Sequence, residues 1–128
     1  MDVQAILTVL GTPEAEPSLY QRREINLSET DISGANLVEN HYEYVDFREA
    51  NLNQAHLNGA FFNRAYFNGT NLSEADLQGA TLEGANLSGA NLETAKNLDQ
   101  KQIDSAIGDS YTKLPSNLHM PKSWKEGH

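Results

Sequence analysis

A large apolar residue recurs at every fifth position of this chain: Leu27, Ile32, Leu37, Tyr42, Phe47, Leu52, Leu57, Phe62, Phe67, Leu72, Leu77, Leu82, Leu87 and Leu92, fourteen times without a break. Two positions before each stands a small or β-branched residue, alanine in nine of the fourteen cases, with Asn40 as the exception. Five residues advance an α-helix by ~500°, so successive leucines would lie ~140° apart and no apolar stripe would form. A single long strand fails as well, because an odd spacing sends alternate leucines to opposite faces. The chain must therefore turn as it advances. A coil satisfies the pattern if every five residues form one short side, with the large and the small residue inward and the backbone polar groups paired to neighbouring coils. Gly34, Gly59, Gly69, Gly79, Gly84 and Gly89 each fall two places after a large residue, where a type II corner requires positive φ.

The stretch Asn71 to Ala95, NLSEADLQGATLEGANLSGANLETA, resembles the pentapeptide-repeat family, whose unit is commonly written A(D/N)Lxx. The resemblance covers about Ile25 to Ala95 and implies an all-β solenoid: a right-handed quadrilateral β-helix with four pentapeptides per coil. Fourteen units then make three and a half coils, a rod only ~17 Å long at ~4.8 Å per rung. Each buried Leu or Phe contributes ~1.5–3 kcal/mol, so the core is adequate.

Solenoid ends expose apolar cross-sections and unpaired edges unless capped, and both flanks read as short α-helical caps. Val3, Ile6, Leu7 and Leu10 mark one face of a helix that Gly11 terminates, placed over the first coil. A membrane-surface helix is the alternative, but the segment has no Lys or Arg to meet anionic lipid. After Ala95 the repeat fails, with Asn97 where a large residue is due. A second helix is expected to about Ile107, with Asp99 as N-cap, Gln102 completing a capping box, Leu98 against Ile103 as a staple and Gly108 as terminator. Tyr111, Leu114, Leu118, Met120 and Trp124 are expected along one side of the coil, with fraying from Lys125. The organisation is thus a capping helix and loop over 1–24, a β-helix over 25–95, and a capping helix and tail over 96–128. Gln102 to Pro115, QIDSAIGDSYTKLP, resembles the tail that follows the repeats in bacterial, especially cyanobacterial, members.

With 128 residues, 38% of them hydrophobic, the chain suits one domain. Eighteen acidic against nine basic side chains give a net charge of −9, which opposes direct nucleic-acid binding and favours basic partners. The absence of cysteine excludes disulfides, cysteine-bearing zinc sites and thiol chemistry. No apolar run reaches the ~20 residues of a membrane span, and Met1-Asp2 does not open a secretory signal. A cytoplasmic location is the expectation.

Residues twenty apart stack on one side, which shows what can meet. His41 and His56 are fifteen apart and fall on different sides, so they share neither metal nor proton; His119 and His128 lie in the tail. There is no GxSxG, HExxH or phosphate-cradling loop. The expectation is no catalytic residue, no metal and no cofactor. Asn51, Asn71 and Asn91 share a column and are expected to form a side-chain ladder. The amide of Asn40 needs a backbone hydrogen bond or a bulge.

The candidate partner-binding patch is His41, Glu43, Tyr44, Phe61, Arg64 and Tyr66. His41, Phe61 and Thr81 form one outward column, Glu43, Asn63 and Glu83 a second, and Tyr44, Arg64 and Gly84 a third; Tyr66 stacks with Asp46 around the corner. Outward aromatics beside an arginine suit a protein-binding hot spot, while packing of the tail or the N-terminal loop over Phe61 is the alternative. The leading expectation is a non-catalytic scaffold for an unidentified protein partner. A monomer is favoured, and an end-to-end dimer would require an incomplete cap. The alternatives are a purely structural or self-associating protein, and an acidic mimic of duplex DNA. The latter follows family members that occupy DNA gyrase, and residues 25–94 carry ten acids against two arginines, a net charge of −8.

Overall fold

In the computed structural model, which describes residues 25–126, the five-residue unit is a corner. In twelve of the fourteen units the carbonyl of the large residue accepts the amide three positions on, as from Ala35 to Ile32 (3.1 Å) and Ala60 to Leu57 (3.1 Å); Leu27 and Leu37 are the exceptions. The residue before that amide has φ > 0 in all but the last unit, at Thr94, which makes the turn type II. All six glycines singled out by their spacing adopt φ of 67–70°. The same site also holds Glu29, Glu39, Tyr44, Glu49, Gln54, Arg64 and Glu74 at φ of 57–67°, so glycine relieves the corner without being required by it.

The turn is braced from in front. The side-chain oxygen of the Asn or Asp before the large residue accepts the amide two places on, as in Val38 to Asn36 (3.1 Å), Asn53 to Asn51 (3.0 Å) and Ser88 to Asn86 (3.0 Å). This Asx arrangement mimics a backbone turn. It also corrects the expected asparagine ladder, of which a single long bond forms, from Asn71 Nδ2 to Asn51 Oδ1 at 3.4 Å. The carbonyl oxygens are already engaged by their own backbone.

Four corners return the chain to its starting side. Eleven parallel bridges join residues twenty apart, from Asn26–Asp46 to Asp76–Lys96. Amides of the large residues and of the corner residues donate to the next coil, as from Leu37 to His56 (2.8 Å) and Gly59 to Gln78 (2.8 Å). Inside, thirteen of the fourteen large residues are buried; Leu27, in the first coil, is only partly so. The first coils are plugged by rings: Phe47 stacks on Phe67 at 5.1 Å, Tyr42 on Phe62 at 5.7 Å, and Phe62 meets Phe67 edge-on at 5.2 Å. Asn40 makes neither of the arrangements expected for its amide. The ladder passes through it without a bulge, its carbonyl accepting from Phe61 (2.9 Å), and its side chain bonds the Tyr42 hydroxyl. Burial pushes that hydroxyl up to about 12, the Asn40 bond pulling the other way.

Beyond Ala95 the coil continues with extra residues. Asn97 takes φ of 61°, and Leu98 and Ile103 are buried one place later than strict repetition requires. The bridges shift accordingly, to Asn86–Ile107 and then Asn91–Lys113. Helix α1, Gln100–Ser105, has the expected capping box between Asp99 and Gln102. The buried Gln102 side chain also donates to the carbonyls of Leu77 (2.7 Å) and Ala80 (2.9 Å). The expected terminator is wrong: α1 ends at Ser105 because Ala106 turns extended at ψ 171°, which frees Ile107 for the ladder. Gly108 serves Trp124 instead. A Cβ there would lie 2.5 Å from the indole ring, which the short helix α2, Lys122–Lys125, buries against the core. Leu114, Leu118 and Met120 pack partly against the core, but Tyr111 is exposed, contrary to expectation. The helix expected over Val3 to Leu10 lies outside the described residues, and no described helix is long and apolar enough to cross a membrane.

Three measurements follow from this architecture. A Cβ at Gly79 meets no atom closer than 4.0 Å, so Gly79→Ala tests backbone strain alone. It should cost about 1–2 kcal/mol in urea unfolding, whereas Gln54→Gly should be neutral or stabilising. The raised Tyr42 value means the neutral hydroxyl favours the folded state. That contribution is fully present below pH ~10 and is lost as pH rises toward 12. Stability should fall by about 2–3 kcal/mol over that window, and less so in Tyr42→Phe. Gly108→Ala should displace the single tryptophan, giving a red-shifted emission and a loss of about 1–3 kcal/mol.

Candidate functional site

The outward residues follow from the same register. His41, Phe61 and Thr81 lead one wall through the bridges His41–Phe61 and Phe61–Thr81. Asp46, Tyr66, Asn86 and Ile107 lead the next. The corner between them carries Tyr44, Arg64 and Gly84, at φ of 67°, 63° and 69°. The predicted patch is therefore divided between a wall and a corner.

On the Phe61 wall the rings engage one another. The His41 imidazole stacks on Phe61 at a centroid distance of 4.4 Å and an interplanar angle of 8°. Its Nδ1 lies 3.2 Å from Glu43 Oε2. Phe61 is half-buried with His41 on one side, so it stands less proud than an outward aromatic at a hot spot. Asn63 Oδ1 and Thr81 Oγ1 are buried on this wall without a partner.

At the corner the surface opens into a groove lined by Tyr44, Arg64, Tyr66, Glu83, Gly84, Asn86 and Ile107. Gly84 shapes it: a Cβ there would come within 3.1 Å of Arg64 Cγ, so the arginine stem lies over the bare backbone of the next coil. Arg64 and Glu83 line the same groove, yet neither has an ion-pair partner among the described residues. Tyr66 and Ile107 remain 45% and 53% exposed, an apolar surface unusual on so acidic a chain. The Tyr66 wall itself is braced by Arg48, whose guanidinium bonds both Asp46 oxygens (3.0 and 2.8 Å) and lies 6.0 Å from the Tyr66 ring centroid. The Arg48 hydrogen bonds hold the Asp46 carboxyl below its ordinary range and raise Arg48 in turn.

The structure thus brings Tyr44, Arg64 and Tyr66 together, sets Glu43 beside Tyr44 and Arg64 in a second depression, and leaves His41 and Phe61 to the adjoining wall. Ile107 and Arg48 were missed. Strict counting by twenty places residue 106 beneath Asn86. The signal for Ile107 was the late Leu98, which announces the one-residue slip. His56 lies on another wall, paired with Asn36 and Asp76. No three His, Asp or Glu side chains converge as metal ligands would among the described residues.

A family model for pentapeptide repeats matches residues 46–84 and 75–96, in 8 copies. Among solved structures, a pentapeptide repeat protein from Nostoc Pcc 7120 is similar at 28% identity, with a TM-score of 0.65, covering 81% of this chain and 93% of that one. A pentapeptide repeat protein (Rfr23) from the cyanobacterium Cyanothece 51142 is 29% identical at a TM-score of 0.34, over 70% of this chain and 63% of its own length. One from the Arabidopsis thaliana thylakoid lumen is 25% identical at a TM-score of 0.40, over 88% and 78% of the two chains. A sequence search of curated proteins finds no significant match. The repeat register, the matched repeats and the Nostoc structure agree: residues 46–96 are pentapeptide repeats, and the chain is similar to pentapeptide repeat proteins folded as a right-handed β-helix solenoid.

Proposed function

We propose that this protein is a non-catalytic binding scaffold whose corner between the Phe61 and Tyr66 walls docks another polypeptide. One observation carries the reading: an arginine without an ion-pair partner among the described residues shares an open groove with two exposed apolar side chains, Tyr66 and Ile107. Arginine and tyrosine are the residues that dominate binding energy when a partner desolvates them. The walls that hold them are built from a rigid ladder, so little ordering cost attends docking. The Phe61 wall, with His41 and Glu43 already engaged, forms the rim. Direct nucleic-acid binding is opposed by the net charge of −9. The duplex-mimic alternative draws on the rod's net charge of −8, but the acids are spread over several columns and the two arginines sit on or beside the Tyr66 wall.

The test is affinity capture from a lysate of the source organism on immobilised chain, comparing three proteins shown by circular dichroism to be folded. The native chain and a His41→Ala, Phe61→Ala variant should retain a common bound protein. A Tyr66→Ala, Arg64→Glu variant should lose it, by at least about tenfold if each side chain contributes the ~1–2 kcal/mol of a modest hot spot. Capture that survives the corner variant, or no capture at all, would overturn the proposal.

A further inference from the structure

The exposed large hydrophobic side chains among the described residues, Tyr66, Ile107 and Tyr111, all border the Tyr66 wall. Tyr66 and Ile107 stand in one column with Asn86 between them. Tyr111, 71% exposed, rides on the turn beneath the next corner, where Asp109 Oδ1 accepts from both Gly89 N and Tyr111 N at 3.0 Å. Between these side chains the wall presents Asn68, Ser88 and Gly108, and no charged group. Charge gathers at the two corners instead. At one, Glu43 and Glu83 share a depression with Arg64, in the rungs above and below it. At the other, Glu29 and Glu49 stand beside Arg48, which Asp46 already holds at 2.8 Å. Carboxylates therefore outnumber bases along both edges of an uncharged, partly apolar strip.

We infer, on the reading that the corner is a docking surface, that its occupant is a basic amphipathic α-helix. The helix lies along the rod, its apolar stripe on the Tyr66 column and its Lys or Arg flanks over the two acidic corners. Rung spacing selects a helix. Tyr66 and Ile107 are two rungs apart, ~9.6 Å at ~4.8 Å per rung. Residues i and i+7 of an α-helix are ~10.5 Å apart along its axis, and i+3 or i+4 falls midway, over Asn86. An extended segment on the same line repeats its side chains every ~6.8 Å and matches neither one rung nor two. Nor can it add to the ladder here, whose amides are already bonded along the axis, as from Phe67 to Asn86 (2.8 Å) and Tyr66 to Val45 (3.0 Å). Charge selects the flanks. The e and g positions beside an a/d stripe come down on Glu43 and Glu83 at one edge and on Glu49 at the other, so lysines there are attracted and glutamates repelled. An apolar centre inside a charged rim is also the anatomy of a groove that takes an amphipathic helix.

Fluorescence anisotropy tests this with a labelled synthetic peptide of about 18 residues, Leu at a and d, Lys at e and g and Ala elsewhere, titrated with the full chain. It should bind with a dissociation constant of about 10–100 µM and gain helical circular dichroism on binding. The double variant Tyr66→Ser, Ile107→Ser leaves the charge alone and should raise that constant about tenfold or more. Glu43→Gln, Glu83→Gln should raise it about threefold or more. Glu39→Gln, Glu74→Gln removes the same charge at the corners of the opposite, His56 wall and should leave it within about twofold. A peptide with Glu in place of Lys should bind about tenfold more weakly. Circular dichroism confirms that each variant is folded. The inference is overturned by a chain that ignores the lysine peptide, by equal binding of the two peptides, or by a Tyr66, Ile107 variant that binds as the native chain does. It is equally overturned if the opposite-wall variant loses as much as the Glu43, Glu83 one, the mark of a general attraction to an acidic chain. If the peptide fails but capture from lysate still depends on Tyr66 and Arg64, the docking function stands and only the basic helix is excluded as its occupant.

Discussion

The type II turn at every fifth residue is the constraint on which the remaining structure depends. It obliges one residue in five to accept positive φ, and it aims the large residue and the small one two places earlier inward together. Because the turn closes through a carbonyl of the large residue, the other backbone groups are left pointing along the axis, where the next coil satisfies them. The core is therefore a consequence of the turn and the ladder acting together. Neither a leucine column nor a bridge of one residue would be stable alone, but each coil completes the one before it.

Corner residues show how sequence and strain are reconciled. Six glycines enter the left-handed region freely, while seven other residues enter it at a steric cost. Along two corners a glutamate is followed by a glycine in the next coil, Glu49 by Gly69 and Glu39 by Gly59, and the succession has a packing reason. The Glu49 carboxylate lies where a Cβ on Gly69 would be, and the Glu39 stem is 2.9 Å from where one on Gly59 would be. A long side chain in one coil thus uses the space that glycine leaves in the next. Arg64 over Gly84 follows the same rule, and in doing so acquires the posture that makes the corner a groove.

Much of this was legible in the residues. The five-residue period fixed the coil, the core list and the positive-φ glycines, because each depends only on local register. The capping box of Asp99 and Gln102 was legible for the same reason. The role of Gly108 was not, since glycine after a helix ordinarily signals a C-cap, and its true neighbour, Trp124, is distant in sequence. The exposure of Ile107 was hidden by the slip introduced at Asn97, which the periodic rule could not place. The engagement of Phe61 by His41 depends on side-chain rotamers, which spacing along the chain does not specify. Of the candidate patch, Tyr44, Arg64 and Tyr66 line one groove, while His41 and Phe61 stand on the adjoining wall.

Charge completes the picture and acts at longer range than packing. Like charge on a rod this acidic disfavours lateral contact between copies over much of its surface. Both arginines of the rod stand on or beside the Tyr66 wall, with Glu29 and Glu49 near Arg48 and with Glu43 and Glu83 near Arg64. Arg48 is consumed by Asp46 and braces Tyr66, whereas Arg64 is left without an ion pair among the described residues. The two arginines therefore do different work: one holds Asp46 and braces the wall, and the other lies over Gly84 in the groove beside Glu83. The proposed docking function rests on that combination, in which the exposed Tyr66 and Ile107 share a groove with Arg64 and Glu83 where Gly84 lets Arg64 lie down.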